Sequence, residues 1–144
     1  QNDDEKRKSI EVDGLISCGD IGYLNDDGYL FLCDRASNMI ISGGANIYPA
    51  EIESVLIEMD QVRDCAVFGI PDEDFGEKVA AIIEPEPDAN LTPEAVTAFL
   101  TDRIAGYKLP RHIEFRDSLP REDSGKLFKR KLKEPFWNET GRKI

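Results

Sequence analysis

A chain of 144 residues with 40% apolar and 33% charged side chains suits one domain, or one domain and a piece of another, with material for a real core. Its net charge of −11 excludes a general binder of nucleic acid or of anionic membranes, whose attraction needs basic surface. No apolar run approaches the roughly 20 residues that span a bilayer, and the charged residues 1–8 lack the apolar centre of a signal peptide, so the expected location is cytoplasmic.

Residues 1–13 are polar and without a period, and with no initiating methionine the chain reads as cut from something larger. A β-like pattern begins at Leu15. Residues 21–24 and 29–33 flank Asn25-Asp26-Asp27-Gly28, and Asp-Gly between two apolar-rich runs predicts a hairpin. Asp20, after Gly19, reads either as a turn former or as an acceptor for a ligand's hydroxyls. Residues 34–49 organise the chain: a charged pair, Asp34-Arg35, then an apolar strand, Met39-Ile40-Ile41, then Gly43-Gly44, then Pro49. This stretch is either a linker followed by a turn or a hinge beside a binding surface, since glycine lets backbone lie close against a ligand.

Pro49 opens a helix whose apolar face is Ile52, Val55, Leu56 and Met59. Residues 62–70 read as a buried strand and residues 78–84 as a second, stopped by Pro85 and Pro87. The acidic loop 71–77 is too short for a crossover, so the two strands should pair antiparallel. Thr92-Pro93-Glu94 marks the start of another helix, with Val96, Phe99, Leu100 and Ile104 buried and Gly106 as its stop. A turn at 107–110, a strand at 113–115, a polar loop at 119–126 and a basic helix at 127–133 follow. From Met39 the order is β-α-β-β-α-β-α. The expected class is α+β: a small, mostly antiparallel sheet flanked by helices and preceded by a β-hairpin.

Cys18, Cys33 and Cys65 fit no zinc spacing and no CxxC motif, so they are read as reduced structural residues. His112, the only histidine, is assigned a structural role, and no metal site is expected. There is no Walker-type phosphate loop, no dinucleotide fingerprint and no Ser/His/Asp set. Lys126 follows Ser124-Gly125 at the start of the last helix. It is either a mobile cation for phosphate or carboxylate oxygens, or the first residue of a solvated basic face with Lys129, Arg130, Lys131 and Lys133.

Taken together and in order, Gly19-Asp20, Asp27-Gly28-Tyr29, Asp34-Arg35, Gly43-Gly44 with Asn46-Ile47-Tyr48-Pro49, Glu51-Ile52-Glu53, residues 67–71, Tyr107-Lys108-Leu109-Pro110, Leu119-Pro120 and Gly125-Lys126 resemble the C-terminal part of the AMP-forming adenylating enzymes. Within that superfamily, Ile41-Ser42-Gly43-Gly44-Ala45-Asn46-Ile47-Tyr48-Pro49 is similar to the acyl- and aryl-CoA ligases. The resemblance implies that residues 1–35 are the tail of a large N-terminal domain and residues 36–144 a mobile lid, inactive in isolation. It implies ATP and CoA as substrates, Mg2+ in the full-length enzyme, and the large domain as partner. By position, Lys126 would bridge the carboxylate substrate and the α-phosphate, Asp20 would hold the ribose hydroxyls, and Arg35 would assist at ribose or phosphate. Ser42, Gly43, Gly44, Ala45, Asn46 and Tyr48 would line the pantetheine tunnel. Ser37 occupies the hinge position, where the family usually has Asp or Lys. Two other readings stand beside this one: a non-catalytic interaction module with the lid fold, and the lid of a peptide adenylation or luciferase-like enzyme.

Overall fold

The computed structural model describes residues 11–12, 15–16 and 19–138, so the expectation for Cys18 lies outside the described residues. The chain divides into two compact units between Ser37 and Asn38. In the first, β1 (Glu11–Val12) pairs antiparallel with β2 (Leu15–Ile16). β3 (Asp20–Leu24) pairs antiparallel with β4 (Leu30–Arg35). The expected Asp-Gly hairpin forms because Gly28 supplies φ +82° and Asn25 closes the turn, its Oδ1 accepting from Tyr29 N at 2.8 Å. A 3₁₀ turn, Ala36–Asn38, leads out of it.

The second unit is a five-stranded sheet with helices on both faces, an α+β arrangement. Its spine is a long antiparallel ribbon of β7 (Val62–Asp72) and β8 (Gly76–Pro85). The strands run further than the sequence indicates, leaving Glu73–Phe75 as the connection where a loop over 71–77 is expected. Asp72 makes the tight turn possible: its Oδ1 accepts from Asp74 N and Phe75 N, which holds its carboxyl below the usual range, the Phe75 bond contributing most. The other edge of β8 is shared. β5 (Ile40–Ser42) meets it antiparallel at one register pair, Ser42 with Gly76, and β6 (Ala45–Ile47) pairs beyond β5. β9 (His112–Phe115) joins β8 in parallel along Ala80–Ile83. A parallel neighbour needs a crossover, and α2 (Pro93–Thr101) provides it.

β7 and β8 read as continuous apolar runs because both their faces are covered. One face buries Cys65, Val67, Val79, Ala81 and Ile83 against Ile52 and Leu56 of α1 (Pro49–Leu56) and Val96 and Leu100 of α2. The other buries Ala66, Phe68, Ile70, Ala80 and Ile82 against Leu119 and Leu132, the latter on α3 (Lys129–Asn138). Each fully buried Ile or Leu contributes about 1.5–3 kcal/mol.

Thr92 caps α2 as its sequence indicates, its Oγ1 accepting from Ala95 N at 3.2 Å. Gly106 does not stop that helix. α2 ends at Thr101, with Asp102 in the right-handed region, because the Leu100 carbonyl collects the N–H groups of Arg103 and Ile104 and the Arg103 guanidinium caps the Phe99 carbonyl at 2.8 Å. Gly106 instead opens a 3₁₀ turn, Gly106–Lys108. The last helix starts later and runs longer than residues 127–133, passing through Pro135. Docking offsets the proline: Trp137 Nε1 donates to the Gly69 carbonyl at 3.1 Å, and Phe136 packs on Phe68 and His112.

Cys33 and Cys65 are free thiols. Burial pushes the Cys65 thiol up to about 12, with the carboxylates of Glu53 and Asp64 adding to the effect. Alkylation of Cys65 by iodoacetamide at pH 8 is expected to be slower in the native chain than in the unfolded one by on the order of 10³, the loss of thiolate alone. Equal rates, read by peptide mass spectrometry, would contradict that burial.

Candidate functional site

In the first unit the β3–β4 register ends on the pair Asp20 and Arg35, fifteen positions apart in sequence and opposite each other in the hairpin. Arg35 Nε lies 3.5 Å from Asp20 Oδ1, with 61% and 40% of the two side chains exposed. The Asp34 carboxylate accepts from Arg35 N at 2.7 Å, and Ala36 N donates to the Gly19 carbonyl at 2.8 Å, closing the end of the hairpin. Such an exposed ion pair is worth about 0–1 kcal/mol to the fold. What it does present is an acceptor and a cation side by side, suited to hydroxyls and a phosphate on one ligand. Ser37 is exposed within the 3₁₀ turn that follows.

In the second unit, residues 40–47 hold the glycine pair between two short strands. They form a tight hairpin, with Ser42 paired to Ala45 and only Gly43-Gly44 between them. The two glycines have φ +56° and +82°, the pair of positive values that a primed two-residue turn requires. β6 escapes sequence reading because it is three residues long with one buried position, Ile47. Gly43 and Gly44 are exposed at the tip, and Gly43 N donates to the Phe75 carbonyl at 2.9 Å. Asn46 is exposed; Ser42, Ala45 and Tyr48 are half-buried. Two long-range contacts lie around the hairpin, that of Arg111 with Phe75 at its tip and that of Lys108 with Glu51, on the helix that follows it. The Arg111 guanidinium lies 4.4 Å over the Phe75 ring, and Lys108 Nζ bonds both Glu51 carboxylate oxygens at 2.6 and 2.7 Å. That ion pair raises the Lys108 ammonium above its ordinary value. These contacts join residues 36 and 57 positions apart, for which local pattern carries no signal.

Lys126 sits in a hydrogen-bonded turn three residues ahead of α3, so the start of that helix lies later than expected. Glu122 N donates to the Lys126 carbonyl and Gly125 N to the Glu122 carbonyl, each at 2.8 Å, with Gly125 at φ +81°. Arg121 clamps the turn, donating to the Gly125 carbonyl at 2.7 Å and pairing with Asp64 on β7. The Lys126 side chain is exposed, and no hydrogen bond or ion pair joins its ammonium to the described residues. On the far side of the turn, Lys129 Nζ meets Glu53 Oε1 at 2.6 Å.

These anchors place the two candidate groups of the second unit at opposite ends of the ribbon. The glycine hairpin adjoins the Asp72–Gly76 end, and the Lys126 turn is tied to the Asp64–Glu84 end, where Leu119 N also donates to Glu84 at 2.9 Å. From Asp64 to Asp72 is roughly 26 Å of strand at about 3.3 Å per residue. Among the described residues no three of His, Cys, Asp or Glu are gathered to hold a metal ion, and no helix is long and apolar enough to cross a membrane. His112 lies edge-on to Phe136 with its Nε2 buried, 3.7 Å from Glu114, a packing position as expected.

Residues 51–126 match the family described as the AMP-binding enzyme C-terminal domain. The chain is 42% identical over 97% of its length to a fatty acid–[acyl-carrier-protein] ligase, ScoC, of Streptomyces coeruleorubidus, and covers 27% of that protein. It is 41% identical over 94% of its length to the long-chain-fatty-acid–CoA ligase FadD13 of Mycobacterium tuberculosis, again covering 27%. Among solved structures, ATP-bound MatB from Rhodopseudomonas palustris superimposes with a TM-score of 0.87 at 36% identity, over 94% of this chain and 27% of that one. The chain thus spans about a quarter of the length of the relatives it matches.

Proposed function

The chain belongs to the AMP-binding enzyme C-terminal domain family, and from that premise we propose that it is the mobile lid of an ATP-dependent, AMP-forming acid–thiol ligase acting on CoA. Residues 1–35 are the tail of the large domain that carries the substrate pockets, residues 36–144 are the lid, and the chain is inactive without that large domain. One observation carries the reading: Lys126 and the glycine hairpin stand at opposite ends of a single rigid ribbon. Reacting atoms must approach to about 3–3.5 Å, so one body cannot bring both ends to one centre together. It can present them in turn, as a two-position switch.

In the first half-reaction a substrate carboxylate oxygen attacks the α-phosphorus of ATP, and pyrophosphate leaves with the electrons of the broken P–O bond. Lys126 stabilises the charge on the carboxylate and α-phosphate oxygens. Asp20 accepts hydrogen bonds from the ribose hydroxyls, and Arg35 supports ribose or phosphate. The lid then turns about Ser37. In the second half-reaction the CoA sulfur attacks the acyl carbonyl carbon, the bond to AMP breaks, and thioester and AMP separate. Ser42, Gly43, Gly44, Ala45, Asn46 and Tyr48 line the pantetheine passage, where two residues without side chains leave room for a thin arm. The Mg2+ expected of the full-length enzyme has no ligand set among the described residues.

The name of the ScoC relative favours a second reading, in which the thiol sits on a carrier protein. The test is to incubate the full-length protein with ATP, a panel of carboxylic acids and either free CoA or phosphopantetheinylated carrier protein. AMP and acyl-CoA in equal amounts support the leading reading. Thioester on the carrier alone supports the second. Absence of AMP across the panel removes both.

A further inference from the structure

Ile40 and Ile47 bury the base of the glycine hairpin in the core, but hydrogen bonds join its tip to the main sheet at few points. β5 meets β8 at one register pair, and Gly43 N adds a bond to the Phe75 carbonyl. In an antiparallel pair, hydrogen-bonded and non-bonded positions alternate. With Ser42–Ala45 closing the two-residue turn, the next pair, Ile41–Asn46, is the non-bonded kind, so the Ile41 N–H faces away from β6. A side chain takes it: Glu77 Oε2 accepts from Ile41 N at 2.9 Å, across 36 positions of sequence.

Glu77 reaches that N–H by crossing over position 69. It shares a face of β8 with Val79, which is paired to Gly69 on β7. A Cβ at Gly69 would stand 2.8 Å from Glu77 Oε2, 2.9 Å from its Cδ and 3.1 Å from Ile40 Cγ2. The missing side chain at position 69 is therefore the space in which the carboxylate lies.

We propose that Glu77 is a positioning residue for thiol transfer: its carboxylate, seated over Gly69, fixes the tilt of the Gly43–Gly44 hairpin against the ribbon. This rests on the lid reading, in which that hairpin lines the thiol passage. Removing the acceptor leaves the Ile41 N–H unpaired and takes away one of the few bonds that hold the hairpin tip against the sheet. A displacement of about 1 Å at a remote position can lower a rate by as much as 10²-fold.

Two substitutions reach the same point by different routes. Glu77→Ala deletes the acceptor. Gly69→Ala keeps Glu77 but crowds its flexible carboxylate end, and it also presses on the buried Ile40 of β5, so its cost to the fold is read by thermal melting alongside. Glu77→Gln retains an oxygen that can accept from Ile41 N. In the full-length enzyme, pyrophosphate exchange reads the first half-reaction, and thioester formation from supplied acyl-adenylate reads the second. Glu77→Ala and Gly69→Ala are both expected to slow the second step roughly 10- to 100-fold while leaving the first within about twofold, with Glu77→Gln restoring most of the loss. Equal loss in both steps, no loss, or a Glu77→Gln variant as poor as Glu77→Ala would overturn the proposal. Lys126→Ala, measured alongside, separates the two ideas. If it leaves pyrophosphate exchange intact, the lid reading itself fails; if it abolishes exchange while Glu77→Ala changes nothing, only the role of Glu77 fails.

Discussion

Lys126→Ala in the full-length enzyme is expected to lower adenylate formation by about 10²–10³-fold, the usual effect of deleting one preorganised group that stabilises transition-state charge. Conversion of supplied acyl-adenylate to thioester should stay within about twofold, because Lys126 is proposed to act only in the first position of the lid. The fold should not register the change. The side chain is exposed, its ammonium is joined to no described residue, and the turn that carries it is held by backbone bonds and by Arg121. Surface changes of this kind shift stability by about 0.5 kcal/mol at most. Pyrophosphate exchange, single-turnover thioester formation and thermal melting on one preparation decide the matter. Equal loss in both half-reactions would remove the assigned role, and a large fall in melting temperature would make Lys126 structural. Lys126→Arg should recover only part of the activity, since a planar fork does not replace a compact ammonium between two oxygens.

The elements that announce themselves locally were legible in the sequence. Asp27-Gly28 gave the hairpin its turn, Pro49 and Thr92-Pro93 opened their helices, and the short link between two apolar runs required an antiparallel ribbon. The candidate residues, too, could be named from motif order, but not their arrangement. That Asp20 faces Arg35 follows from hairpin register, including a shift at Ile21/Gly22 that no composition encodes. That Lys126 and Gly43 stand at opposite ends of the ribbon depends on Arg121 meeting Asp64 and on Ser42 meeting Gly76, contacts between distant positions. Glu77 looked like one more acid in an acidic loop, because what gives it meaning is an empty space at Gly69 and an outward N–H at Ile41. Local breakers misled where packing outweighed them. Pro135 lies inside α3 because Phe136 and Trp137 dock on the sheet, and Gly106 is no cap because Arg103 and Ile104 had already closed the helix.

Glu53 is expected to be the most sensitive single polar position in the second unit. It lies on α1, just after the glycine hairpin, and its Oε1 accepts from Val67 N at 2.6 Å and meets Lys129 Nζ at 2.6 Å. The two side chains are 20% and 26% exposed, so the pair is partly shielded from water. Lys129 opens α3, where the positive end of the helix dipole disfavours a cation. Glu53 offsets that placement and ties the start of α3 to α1 and β7 at once. Glu53→Ala leaves an orphan N–H at the buried Val67 of the edge strand β7 and an uncompensated, half-buried ammonium, a combined cost of about 3 kcal/mol. For a unit of this size that corresponds to a fall in melting temperature on the order of 10–20 °C. Glu53→Gln keeps an acceptor for Val67 N and should lose roughly half as much. Lys129→Met removes the stranded charge, so the double variant Glu53→Ala with Lys129→Met should be less destabilised than the sum of the singles, by about 1–2 kcal/mol. Strict additivity would mean the two groups do not interact in solution. Because α3 begins three residues after Lys126, the same substitution should also loosen the lysine turn and slow adenylation more than thioester formation. The reverse order would place the Glu53–Lys129 bond in the service of the hairpin end instead.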